Sequence, residues 1–123
     1  SVDMALFPNR CEPGTNLVAM ESMSMGIPCI ISANTGHLDI MSNETCYSLL
    51  NQRDVDPYQP YDHVDGWGES SMEEISDQME QLYLDYNAAQ KIGENASIYM
   101  KKFSWDNQID KLLGAIDDLG GKN

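Results

Sequence analysis

Residues 11–37, CEPGTNLVAMESMSMGIPCIISANTGH, constrain the fold more than any other stretch of this chain. Glu12, Pro13, Gly14, Thr15 and Asn16 suit a tight backbone turn that opens a helix. The helix is predicted from about Asn16 to Met25, and Gly26 stands where a left-handed C-cap residue belongs. Pro28 follows, and Cys29, Ile30 and Ile31 make an apolar run too short for a helix, so Ile27 to Ser32 reads as a buried strand. Upstream, Val2 to Phe7 is a second β-rich run, ended by Pro8. Strand, helix, strand in this order implies a parallel pair joined by a right-handed crossover. The fold class is therefore α/β.

The remainder shifts toward helix. Thr45 to Leu50 suits a third, short strand. Residues 51–70 are rich in Asp, Pro, Tyr and Gly and carry Tyr58, Tyr61, His63 and Trp67. This stretch reads as an ordered surface excursion, either a packed insertion or the wall of a cleft. Ser71 and Glu74 form a capping box before Ile75, Met79, Leu82, Tyr83 and Tyr86 at helical spacing. Asn87 and Gln90 are candidate caps for the next helix, with Ile92, Ala96, Tyr99, Met100 and Phe103 on one side. Ser104 caps a last helix bearing Trp105, Ile109, Leu112, Leu113, Ile116 and Leu119, which Gly120 and Gly121 end. No repeat or linker divides residues 1–123, which form a single domain.

Charge narrows the partners. The formal net charge is −13, a surface that repels nucleic acid and anionic membrane. No apolar run approaches the length of a membrane span. Cys11, Cys29 and Cys46 are odd in number and widely spaced, which fits reduced thiols and a cytoplasmic setting and gives no metal spacing. Asp54 and Asp56 form an Asp-x-Asp that chance explains in so acidic a chain. Met20, Met23 and Met25 read as core filler, and His37 as a structural or surface residue.

The chemistry concentrates at the first helix. A helix N-terminus offers unpaired N–H donors and the positive end of a dipole, which suits a diphosphate. Arg10 is the one nearby guanidinium, because Arg53 is distant in sequence and the five lysines start at Lys91. Glu21 is an acidic residue inside a helix of largely apolar neighbours.

These residues resemble the donor-binding half of family 4 glycosyltransferases, retaining enzymes of the GT-B fold. Glu21-Ser22-Met23-Ser24-Met25-Gly26-Ile27-Pro28-Cys29-Ile30 is similar to the second part of that family's Glu–seven residues–Glu motif and the pattern after it. Glu12 departs from the motif by one position, since Pro13 stands at the strict spacing. Asn34-Thr35-Gly36-His37, Gly66-Trp67-Gly68-Glu69 and Phe103-Ser104-Trp105 resemble later segments. The resemblance implies a partial Rossmann-like parallel sheet flanked by helices, with a helical C-terminal portion.

It also implies roles. Glu21 is the ribose ligand of a nucleoside diphosphate sugar. Gly14, Thr15, Asn16, Leu17 and Val18 line its phosphate and nucleotide end, and Glu12 contacts the sugar as the catalytic-side residue. The donor is a substrate, and no cofactor or metal is implied. The acceptor site and the basic residues that neutralise the diphosphate belong to parts of such enzymes that this chain does not match, so a truncated C-terminal lobe, inactive alone, is expected. Its partner is then a missing N-terminal lobe or a second copy of the chain. The alternative is a non-catalytic, self-associating assembly or binding module. An unrelated doubly wound nucleotide-binding domain is a third reading.

Overall fold

The structure, a computed structural model, describes residues 2–121; Ser1, Lys122 and Asn123 lie outside the described residues. Three parallel strands, β1 (Ala5–Phe7), β2 (Cys29–Ser32) and β3 (Tyr47–Leu49), form a sheet in that order. Ala5 pairs with Cys29 and Phe7 with Ile31, while Ile30 pairs with Tyr47 and Ser32 with Leu49. The central strand β2 is buried along its whole length, the pattern of a parallel strand covered on both faces.

Its side chains alternate between two cores. Cys29 and Ile31 join Ala19 and Met23 of α1 (Leu17–Ser24) and Ala96 and Met100 of α3 (Tyr86–Met100). Ile30 joins Tyr47, Leu49 and Ala89 with Ile75 and Leu82 of α2 (Met72–Leu84). The result is the Rossmann-like α/β arrangement, with α1 and the C-terminal half of α3 in one core and α2 in the other. Helix α4 (Trp105–Gly120) follows Ser104, whose side chain accepts from Asn107 N–H, and buries no residue.

Helix α1 ends as the sequence predicts, in a Schellman turn. Gly26 has φ +75°, its N–H donates to Met23 O at 3.0 Å, and Ile27 N–H donates to Ser22 O at 3.1 Å. This turn abuts α3 so closely that a Cβ on Gly93 would lie 2.1 Å from Gly26 O.

Several expectations change. The strands are shorter than predicted, because pairing partners and not side-chain pattern set their ends. The 51–70 excursion contains an antiparallel pair, β4 (Gln52–Asp54) and β5 (Gly68–Ser70), with a further bridge between Tyr58 and Tyr61 and a cis Gln59–Pro60 bond. Asn87 and Gln90 do not cap α3; Asp85 does, its carboxylate accepting from Ala88 N–H at 3.0 Å. Ser71 caps α2 as expected, but Glu74 completes no capping box. Its carboxylate instead accepts from the N–H groups of Leu50 and Asn51, both at 2.9 Å, and so clamps the turn between β3 and β4. Met23 is core, whereas Met25 is exposed because it follows the last helical residue.

Candidate functional site

Two loops emerge side by side from the carboxyl ends of β1 and β2, residues 8–16 and 33–39. Open α/β sheets bind ligands at this edge. The loops are tied by backbone and side chain. Gly36 N–H donates to Glu12 O at 3.0 Å, and Glu12 N–H donates to the Thr35 hydroxyl at 2.7 Å. Thr35 holds φ +41°, a conformation that β-branched residues rarely adopt. Its hydroxyl, which also donates to Asn34 Oδ1 at 3.0 Å, fixes it there. Gly36 is the sterically obligatory glycine of the pair of loops: a Cβ would sit 1.5 Å from Gly14 O and 2.7 Å from Glu12 O. Around Gly14 there is open space, so Gly14 is a turn residue without a packing requirement.

Beneath the loops runs a buried polar chain. Asn16, at φ +57°, caps α1 by accepting from Ala19 N–H through Oδ1 at 3.0 Å. That leaves its amide nitrogen to donate to His37 Nε2 at 2.8 Å. His37 Nδ1 must then carry the proton, which it donates to Ser32 O at 3.0 Å. The Ser32 hydroxyl lies 3.0 Å from Nδ1 and donates to Asn9 O at 2.8 Å. His37 is fully buried, and burial lowers its pKa against the opposing pull of the Ser32 carbonyl and the Glu12 charge. The neutral tautomer is thus a structural element that aims the start of α1.

Asn34 makes a second junction. Its amide nitrogen lies 2.8 Å from both Asn9 O and Gln52 Oε1 and 3.2 Å from Gly68 O. Together with Gly68 N–H donating to Arg10 O at 2.9 Å, this seats the β4–β5 pair on the β1 loop.

The predicted site residues sort by this geometry. Glu12 is half-buried and its carboxylate reaches back to Asn9 Nδ2 and Gly14 N–H, each at 3.4 Å. Gly14 is exposed, Thr15 half-buried and Asn16 buried with its side chain turned inward. Leu17 and Val18 are 72% and 62% exposed, and their N–H groups have no partner among the described residues. Glu21 is exposed one helical turn beyond Leu17, and its carboxylate has no partner among the described residues. The structure therefore brings the free amides and Glu21 onto one open stretch of α1.

Positive potential there is weaker than the sequence suggests. Arg10 pairs with Glu69, which also pairs with Arg53. The hydrogen bonds to Arg53 and Arg10 lower the pKa of Glu69, and Glu69 raises that of Arg10. Among the described residues no group of three His, Cys, Asp or Glu side chains could hold a metal ion. Burial raises the thiol pKa of Cys29 to about 12 and raises that of Cys46 as well, so neither is a ready nucleophile. Sequence reasoning missed Ser32, and it noted Asn34 and Gly36 only as part of a resembling segment, without the junction the one makes or the close approach the other allows. The Asn16 side chain before an apolar helix is the one local signal, as a cap.

A parallel sheet flanked by helices, with paired loops at its carboxyl edge and a capped helix opening from one of them, defines a Rossmann-like α/β domain. Over residues 1–112 the chain matches the family described as "Family 4 Glycosyltransferase in conflict systems", and it belongs to that family. No curated protein and no solved structure matches it significantly. No helix among the described residues is long and apolar enough to cross a membrane.

Proposed function

We propose that this chain is the nucleotide-sugar-binding portion, the C-terminal lobe, of a retaining glycosyltransferase. The observation that carries this reading is the disposition of α1: unpartnered N–H groups at Leu17 and Val18, and an unpartnered carboxylate at Glu21. Four residues of helix separate Leu17 from Glu21, a rise of about 6 Å. That is the scale of the step from a diphosphate to the ribose it esterifies. The diphosphate lies over the helix N-terminus, Glu21 accepts from the ribose hydroxyls, and Glu12 lies toward the sugar. Such a domain acts by position and electrostatics.

The pairing of both arginines with Glu69 argues that the domain alone binds an anionic donor weakly. Transfer then needs a second lobe that supplies cations and the acceptor. An amide-resolved NMR titration with UDP, GDP, ADP and their sugar conjugates tests the reading. Shifts at residues 12–21 and 34–37 that disappear in Glu21→Ala support it and identify the base. A folded chain with no shifts at millimolar nucleotide overturns it.

A second reading, a self-associating module, is favoured by α4. Trp105, Ile109, Leu112, Ile116 and Leu119 recur at alternating spacings of four and three, with Ile and Leu on separate seams, and all are 48–83% exposed. This is the pattern of two-stranded helix pairing. Sedimentation that shows a dimer in the wild type and a monomer in Leu112→Glu supports it, and a wild-type monomer at high concentration removes it.

A further inference from the structure

Asn16 and His37 are joined by a hydrogen bond that exists in one protonation state only. Ala19 N–H can only donate, so the Asn16 atom facing it at 3.0 Å is Oδ1, and the Asn16 amide nitrogen is left to face His37 Nε2 at 2.8 Å. Nε2 accepts that bond as an unprotonated imidazole nitrogen. A carbonyl in the same place would accept at any pH. With a proton on Nε2, two donors meet across 2.8 Å.

The ring has no route of escape. Its Nδ1–H is held by Ser32 O at 3.0 Å. Its backbone is pinned in the 3-10 turn Thr35–Asp39, where His37 N–H donates to Asn34 O at 3.2 Å and Ile40 N–H donates to His37 O at 3.1 Å. The group that yields is therefore the Asn16 side chain. Turning its amide over gives Nε2–H an oxygen, but sets the amide nitrogen against Ala19 N–H and ends the cap of α1. An asparagine serves either the helix or the imidazolium, never both.

The surroundings hold the ring neutral until acid is added. Burial opposes the proton most strongly, while the Ser32 carbonyl and the Glu12 charge favour it. Among the described residues Glu12, from the β1 loop, is the one charged group that bears on the ring; the partners from α1 and β2, Asn16 and Ser32, are neutral, and Asp39 of its own turn is exposed.

We infer that His37 and Asn16 form a proton-operated switch, in which a proton taken from solvent onto His37 Nε2 reverses the Asn16 amide and uncaps α1. At neutral pH the start of the helix is held. In mild acid its first turn is released, and the Leu17 and Val18 amides go with it. That the released turn is a nucleotide site rests on the reading above; the switch itself does not.

The test is an NMR pH titration of the full chain without ligand, from neutral pH into mild acid. It follows the His37 ring, the Asn16 side-chain amide and the Ala19 N–H. The expected result is that all three move together, with a midpoint below 6.5, in a chain that stays folded. Across that midpoint Ala19 should lose hydrogen-exchange protection about fivefold relative to the amides of β2, the scale of a lost N-cap. His37→Gln, which takes no proton, should show no such change. Asn16→Asp supplies the sharper arm. Aspartate caps a helix as well as asparagine does and tolerates the left-handed φ of +57°, and its carboxylate accepts from Ala19 N–H and from the imidazolium at once. The His37 midpoint should rise above the wild-type value, and Ala19 should stay protected in acid.

Titration of His37 with Asn16 and Ala19 unmoved overturns the inference. So does a ring that takes its proton only when the whole spectrum collapses, or an Asn16→Asp variant whose His37 midpoint fails to rise. Nucleotide shifts at residues 12–21, measured at neutral pH, succeed or fail apart from all of these and bear on the nucleotide reading alone.

Discussion

Two glycines summarise two regions of this molecule. Gly36 is enclosed by backbone oxygens of the neighbouring loop, while Gly114, in the middle of α4, has nothing within 4 Å of where a Cβ would stand. The loops at residues 9–16 and 33–37 are held by reciprocal hydrogen bonds, a buried histidine and a contact that excludes a single methyl group. Helix α4 is held by its own cap, its own ladder and the side-chain amides of Asn107 and Gln108 donating to the carbonyls of Lys101 and Lys102, and its apolar residues face solvent. The first region is specified from within the domain. The second carries an apolar pattern that nothing among the described residues covers.

The same substitution in both places should break the comparison most visibly. Gly36→Ala forces two loops apart and should cost about 3 kcal/mol or more, as severe overpacking does; urea denaturation checks it. Asn16→Ala removes the cap of α1 and leaves His37 Nε2 without its donor, an expected loss of about 2–3 kcal/mol in the same measurement.

His37 adds a pH signature. Its folded pKa lies below its ordinary value of 6.5, so below that pH the unfolded chain binds more protons than the folded one. Stability should therefore fall as pH drops through about 6.5, by no more than ~1.4 kcal/mol per unit, and level off below the folded pKa. Melts of wild type against His37→Gln isolate this slope from that of the acidic surface.

In α4 the effects should be small and of the other sign. Gly114→Ala should raise stability by about 0.5–1 kcal/mol by favouring the helix. Leu112→Glu should alter the unfolding free energy of a monomer by about 0.5 kcal/mol or less. A large loss there would mean that the helix is already covered.

The two regions also differed in how far the sequence revealed them. Local signals carry α4 well: Ser104 as cap, the apolar spacing and the terminal glycines all reappear in the structure. They likewise place α1 between two strands and assign the left-handed turn to Gly26. What they could not show are partners far along the chain. Glu74 looks like the second half of a capping box until Leu50 and Asn51 come within reach of its carboxylate. Gly14 stands out in sequence, but the packing demand falls on Gly36, because only the folded pair of loops brings the carbonyl of one against the α-carbon of the other. Arg10 reads as a free cation until Glu69 meets it from fifty-nine residues away. The strand pair in residues 51–70 was obscured by Asp, Pro and Gly, residues that strands usually avoid.

Asn34 has a consequence for motion. One amide nitrogen serves oxygens from the β1 loop, from β4 and from β5. None of these segments can swing away without surrendering that shared nitrogen. The N–H groups of Ala33, Gly36 and Gly68 should therefore exchange with solvent deuterium as one cooperative unit, at a common opening free energy. The rim of the sheet's carboxyl edge would then breathe as a single plate, while α4 frays turn by turn.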